Sequence, residues 1–218
     1  VKKDEIDFIV KTLKQYTEHF QEPVIGRVAK QKRDAYRILT ATILSLRTKD
    51  QTTSEAAERL FSQAETPKAM LKLSQEEIEK LIYPVGFYHR KASTILEISK
   101  LLIEKYDGKV PDSIDSLLAL PGVGRKTANL VLNEGFNKPA ICVDTHVHRI
   151  SNRLGLVKTK TPEQTEFALV DVLPQKYWII INPLLVSFGQ NVCKPTSPLC
   201  SICPLNAVCP KIGVINHR

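Results

Sequence analysis

The 218-residue chain has no apolar stretch near the ~18–20 uninterrupted residues that a membrane span needs. Its first residues, Val1-Lys2-Lys3-Asp4-Glu5, are charged and lead into an amphipathic pattern, so no signal-peptide core is seen there. These absences exclude a membrane-spanning role and give the expectation of a cytoplasmic protein. Cysteine is scarce: five residues, an odd number, which argues against a disulfide framework. Hairpin signals and sustained alternation of apolar and polar residues are missing too, which removes the β classes. There is no low-complexity segment and no long linker, and composition alone marks no domain boundary.

What is present is helical periodicity nearly throughout. Ile6, Ile9, Val10, Leu13 and Phe20 mark a first amphipathic helix, ended by Pro23 and Gly26. A second is expected over about 33–46 and a third after Asp50. Thr66-Pro67, Ser74 with Glu77, and Thr161-Pro162 with Gln164 are helix-start signals. A long helix spans about 90–106 with Gly108 as its stop. Trp178, Ile181, Leu184, Leu185 and Phe188 mark a late apolar helix. The fold class is all-α. Hydrophobic residues make up 43% and the net charge is +8. That basic excess suits a polyanion partner, and equally an ordinary basic protein.

The most informative turn lies in Leu120-Pro121-Gly122-Val123-Gly124-Arg125-Lys126-Thr127, between an apolar helix ending near Leu120 and a helix beginning near Arg125. The glycines permit close approach of a ligand to the backbone. The amides opening the second helix suit a phosphate, and Val123 points back as a packing anchor. The plain alternative is an ordinary helix corner. Lys126 stands in the first turn, where the helix dipole opposes its charge. It either reaches a phosphate or exploits that environment as an amine nucleophile.

The segment Val143-Asp144-Thr145-His146 opens the next helix, with Asp144 18 residues beyond Lys126. Asp144 reads as an N-cap, as a carboxylate serving a developing cation or a proton transfer, or as both. His146, His148, Arg149 and Arg153 offer cationic and hydrogen-bonding groups, or else a solvated helix face. Cys142 reads as a small buried apolar residue. The other four cysteines, Cys193, Cys200, Cys203 and Cys209, are spaced C-x6-C-x2-C-x5-C. Four thiolates so close can hold a tetrahedral zinc or a [4Fe–4S] cluster, and Lys194 between them can touch phosphate.

Taken in order, the Leu120–Thr127 turn, the Val143–His146 step and the cysteine tail resemble the endonuclease III branch of the helix–hairpin–helix DNA glycosylases. The resemblance runs from about Ile38 to Cys209. It implies a two-lobed, all-α fold: a six-helix barrel over 28–138 carrying the hairpin, and an iron–sulfur lobe made from 1–27 and 139–218. It implies a [4Fe–4S] cluster on Cys193, Cys200, Cys203 and Cys209. It further implies a monomeric, nucleoid-associated enzyme acting on damaged double-stranded DNA in the cleft between lobes, with base flipping. Lys126 would be the Schiff-base nucleophile and Asp144 its catalytic partner, and strand cleavage would follow by β-elimination. DNA contacts are expected from Arg47, Phe87, His89, Gly122, Val123, Gly124, Arg125, Thr145, His146 and Lys194.

Two positions depart from the family pattern. Arg47 stands where a glutamine often fills the gap left by the flipped base, and Phe87 replaces the usual leucine wedge. An aromatic wedge can still intercalate, and the plain alternative is a Phe87 tucked into the core. Adenine-mismatch glycosylases lack the lysine and carry an early-helix glutamate, whereas the corresponding Thr40-Ala41-Thr42-Ile43 holds no acid. Lys126 also disfavours a thymine-mismatch glycosylase. A non-catalytic lesion-binding protein on the same scaffold is the remaining alternative.

Overall fold

The computed structural model describes residues 3–20 and 22–218, and among these every regular element is helical. The chain divides into two compact units, one formed by Val24–Lys138 and the other by Val1–Pro23 with Pro139–Arg218.

The second of these opens with α1 (Lys3–Thr17), whose Ile6, Ile9, Val10 and Leu13 form one buried stripe. Asp4 and Glu5 in the first turn and Lys14 in the last complement the helix dipole. Phe20, expected in this helix, lies beyond its end.

The Val24–Lys138 unit contains α2 (Val24–Gln31), α3 (Ala35–Ser45), α4 (Asp50–Gln63), α5 (Pro67–Met70), α6 (Gln75–Ile82), α7 (Tyr88–Tyr106), α8 (Ile114–Leu118) and α9 (Arg125–Phe136). Helix α2 was not anticipated: Gly26, expected as a helix stop, lies inside it. Its Val24, Ile25, Val28 and Ala29 are buried, and that burial outweighs one interior glycine's cost of about 1 kcal/mol. Helix α3 is capped by Asp34, which accepts from the amides of Tyr36 and Arg37 at 3.0 and 2.9 Å. It is buried from Ile38 to Leu44 and packs along α9 and against α7. Tyr36 and Ser99 share a buried hydrogen bond of 2.6 Å across the α3–α7 contact. The α3–α9 approach is close: a Cβ on Gly135 would lie 3.3 Å from Ala35.

The caps behave as local chemistry dictates. Thr66 and Ser113 cap α5 and α8, and Ser74 with Glu77 makes both halves of a capping box on α6. Asp107 takes the left-handed cap position of α7, and the amide of Gly108, itself at φ +75°, closes onto the Leu102 carbonyl at 2.9 Å.

The remaining helices, α10 (Thr145–Arg153), α11 (Pro162–Val172) and α12 (Trp178–Asn191), complete the other unit, with single 3-10 turns at Gln175–Tyr177 and Cys200–Ile202. Val147 and Ile150 of α10 and Ile181, Leu185 and Phe188 of α12 share one core with Ile6, Ile9 and Leu13 of α1. The expected box at Thr161 is half met. Thr161 accepts from the Gln164 amide, but the Gln164 side chain accepts from the amide of Lys160, one residue upstream. No helix among the described residues is long and apolar enough to cross a membrane.

Candidate functional site

Helix α8 ends at Leu118, slightly before the sequence suggests, and residues 119–124 make the turn into α9. The amide of Val123 closes on the Leu120 carbonyl at 3.2 Å. Gly122 has φ +71°, and a Cβ there would lie 2.9 Å from Thr94 Cγ2, so both conformation and space require glycine. Val123 is buried as the anchor. Gly124 is the N-cap of α9 and provides no side-chain cap, and its Cα faces open space. Arg125 and Lys126 occupy the first turn, each half-buried, above the buried Thr127 and Ala128.

In the other unit, Asp144 caps α10. Its Oδ1 accepts from the amides of His146 and Val147 at 2.8 and 2.9 Å, so Oδ2 takes no part in the cap. The segment leading to it is tied to α12 by Asn182, whose Nδ2 donates to the Cys142 carbonyl at 3.0 Å. Cys142 itself is fully buried. Thr145 is exposed.

The reading of His146, His148, Arg149 and Arg153 as a solvated face fails for all four. His148 shares a hydrogen bond of 2.7 Å with Thr165 and leads into a network with Asn152 and Thr159. Arg149 donates to the Cys193 carbonyl at 2.8 Å, and burial pulls its guanidinium below the ordinary range. Arg153, only 8% exposed, donates to the carbonyls of Lys194 and Pro195, both at 2.7 Å, and lies 3.4 Å from Cys193 Sγ. His146 lies against Gly189 of α12, where a Cβ would strike its ring, and is 3.2 Å from Arg149 Nη2.

These arginines hold the start of the cysteine loop. Cys193, Cys200, Cys203 and Cys209 are free thiols. The Cys209 thiol lies 3.5 Å from the Arg153 carbonyl. Burial pushes the Cys203 thiol up to about 11, and charge on Cys193, Cys209 and Cys200 adds to the rise. Cys209 is raised for the same leading reason, with Cys193 and Cys200 contributing. Among the described residues no group of three or more His, Cys, Asp or Glu side chains is placed so that it could hold a metal ion.

A third group lies in the Val24–Lys138 unit. Arg47 and Phe87 both have left-handed backbones, with φ +53° and +59°. Phe87 is 62% exposed, not tucked into the core, and the Arg47 guanidinium lies 5.7 Å from its ring centroid. His89, two residues on, is exposed but shares a 2.6 Å hydrogen bond with Glu79 and lies 4.0 Å from the Tyr88 ring. Lys91, absent from the sequence-based candidates, sends its buried ammonium under the Arg47 loop. Its signal was legible: Lys91, Ile95, Ile98 and Leu102 share the buried register of α7.

Residues 40–175 match the family described as "HhH-GPD superfamily base excision DNA repair protein". The chain is 54% identical over 176 residues to Endonuclease III of Thermotoga maritima, covering 81% of this chain and 83% of that protein. It is 47% identical over 184 residues to Endonuclease III homolog 1, chloroplastic, of Arabidopsis thaliana, covering 80% of this chain and 48% of that longer protein. Among solved structures, a non-covalent Endonuclease III–DNA complex superposes with a TM-score of 0.86 at 34% identity, covering 97% of this chain and 96% of that one. A trapped Endonuclease III–DNA covalent intermediate gives a TM-score of 0.85 at 35% identity, covering 97% of each.

Proposed function

Since the chain belongs to the HhH-GPD superfamily of base excision DNA repair proteins, we propose that it is a bifunctional DNA glycosylase and abasic-site lyase that removes oxidised pyrimidines from duplex DNA. The observation that carries this reading is Lys126 in the first turn of α9, directly behind the uncapped Gly122–Gly124 turn. The covalent DNA intermediate of a similar structure is the product an enzyme nucleophile leaves when trapped.

The chemistry follows from the residues. The Gly122-Val123-Gly124 turn, with Arg125, receives a backbone phosphate through the opening amides of α9. Lys126 Nζ attacks C1′ of the extruded nucleotide. The C1′–N bond breaks and the base leaves. The resulting amine adduct opens to a Schiff base. Loss of a C2′ proton then expels the 3′ phosphate and cuts the strand. Asp144 serves the cationic sugar and the proton transfers through Oδ2, the oxygen its cap leaves over. Thr145, His146 and Lys194 are assigned supporting DNA contacts, and His89 a contact on the Phe87 side. We assign the hairpin barrel, expected over 28–138, to the Val24–Lys138 unit, and the cluster to the other. The enzyme is read as a monomer working at the nucleoid.

Cys193, Cys200, Cys203 and Cys209 would hold a [4Fe–4S] cluster. An all-sulfur donor set with no disulfides suits such a group by its chemistry. When bound it supplies cross-links that brace the loop between α12 and the C-terminal segment. No step of the reaction passes through it.

Borohydride trapping on a duplex with one thymine glycol tests the reading. A covalent protein–DNA adduct is expected, and it should vanish in Lys126→Gln while lesion binding persists. Base release without any adduct would instead mark a monofunctional glycosylase, and binding without release a lesion-binding protein.

A further inference from the structure

Arg47 and Phe87 pose a physical problem. Each is a non-glycine residue in the left-handed region, a strained state that persists only where the surroundings impose it. The two stand on separate segments, the turn after α3 and the N-cap of α7. Four contacts join those segments. Lys91 Nζ donates to the carbonyls of Leu44 and Leu46 at 2.8 and 2.6 Å, and to Thr48 Oγ1 at 3.1 Å. Thr48 Oγ1 in turn accepts from the Gly86 amide at 3.2 Å. Gly86 is required by contact, because a Cβ there would lie 2.8 Å from the Arg47 carbonyl oxygen. Above this seam the Arg47 guanidinium lies 5.7 Å from the Phe87 ring centroid, within cation–π range.

We propose that Lys91, Thr48 and Gly86 form a staple that locks Arg47 and Phe87 into one preassembled reader, so that the two side chains enter the DNA as a coupled unit. Lys91 is a positioning residue: it touches neither DNA nor substrate and acts through the two loops. The proposal rests on the reading that Arg47 and Phe87 fill the space vacated by the flipped base. A preassembled reader avoids the entropy of ordering two loops during each search step. It presents a guanidinium, stacked on an aromatic face, to the base opposite the lesion. A guanidinium has the fork geometry for a purine's paired acceptors. A lysine is an expensive choice for a buried staple. Burial lowers its ammonium to about 8, so much of the charge is retained at neutral pH at a cost in stability. A purely architectural position would be filled more cheaply by an apolar residue.

The test is a double-mutant cycle on binding, read as the affinity ratio between a duplex with one tetrahydrofuran abasic analogue and the same duplex undamaged. In the wild-type background, Arg47→Ala and Phe87→Ala should each lower that ratio by roughly fivefold or more. The double variant should lose much less than the product of the two, the signature of coupled residues. Lys91→Met should lower the ratio by a similar factor and make the two losses multiply independently. Gly86→Ala, which separates the loops without touching Lys91, should do the same, and it decides the matter if Lys91→Met does not fold. Folded Lys91→Met and Gly86→Ala proteins with full selectivity and intact coupling would overturn the staple. If Arg47→Ala and Phe87→Ala are silent in the wild type, the gap-filling reading falls first, and the staple with it.

Discussion

Replacing Asp144 by asparagine separates the helix cap seen in the structure from the chemical role proposed for it. In the structure one oxygen, Oδ1, accepts both cap bonds, at 2.8 Å from His146 N and 2.9 Å from Val147 N. An asparagine carbonyl can accept the same two bonds, and asparagine is as good an N-cap as aspartate. Asp144→Asn should therefore fold with a stability within about 0.5 kcal/mol of the wild type, the small loss coming from the missing negative charge at the helix start. Asp144→Ala, which removes the cap, should lose about 1 kcal/mol. The chemical role has the opposite sensitivity. An amide cannot take a proton or balance a cationic sugar, and a positioned general base contributes roughly 10²–10⁴-fold. Single-turnover base release from a thymine glycol duplex should fall by about that factor in both variants, despite their different stabilities. Urea denaturation and rapid-quench kinetics on the same preparations measure the two effects separately. If Asp144→Asn releases base at the wild-type rate, the residue is a helix cap and nothing more.

Three other perturbations follow from the geometry. Gly122→Ala forces a side chain into a left-handed turn and onto Thr94 Cγ2; a loss of about 1–2 kcal/mol is expected by urea unfolding, with weaker duplex binding, and a neutral result would refute the tight-turn argument. Arg153→Met leaves the Lys194 and Pro195 carbonyls without their donor; a loss of roughly 2–4 kcal/mol is expected, with less iron retained per chain, and a loss below about 1 kcal/mol would mean the cysteine loop is held elsewhere. Lys91 should show in the pH dependence of stability. Its proton leaves the folded state near 8 but stays on the unfolded chain to about 10.5, so stability rises as pH climbs between those values. The gap corresponds to about 3 kcal/mol at most, and the difference between wild type and Lys91→Met should widen in favour of the wild type from pH 7 to pH 10. An unchanged difference would show that the ammonium is not desolvated.

What could be read in the sequence was whatever is decided within a few residues. Caps at Thr66, Ser74, Thr161 and Asp144, the turn at Gly122 and the apolar registers of α3, α7 and α12 are local effects, and they were legible before any coordinates. Helix α2 was missed because its evidence is tertiary: eight residues with a glycine form a helix only when Val24, Ile25, Val28 and Ala29 find a core. Gly108 does end α7, at φ +75° with its amide on the Leu102 carbonyl, and Asp107 before it shares the left-handed turn, which the sequence alone does not show. Among the candidate site residues, the hairpin and the four cysteines stand out by pattern and spacing, whereas the roles of Lys126 and Asp144 come from the family resemblance. Lys91 and Thr48 do not stand out, because their importance lies in a contact between segments about 45 residues apart. A lysine standing in an apolar register, as Lys91 does with Ile95 and Ile98, is the pattern that announces such a contact. Arg153, three residues after Ile150 on the buried side of α10, repeats it.

Lys91 and Arg153 also share a choice of acceptor. Lys91 spends its bonds on two carbonyls and a hydroxyl, Arg153 on two carbonyls and a thiol, and neighbouring Arg149 on the Cys193 carbonyl. A carboxylate partner would hold each cation more strongly, but it would cancel the charge. Backbone dipoles accept from these groups and leave the charge standing. Each of these cations comes from a regular helix and fixes an irregular segment: the Arg47 turn in one unit, the Cys193 loop in the other. Both segments are thereby held rigid without spending the chain's positive charge, and a net +8 protein that must approach phosphates has reason to keep it. Where charge has no such use, the same chain pairs it in the ordinary way. Glu65 holds Lys32 and Arg37, and Asp112 holds Lys138.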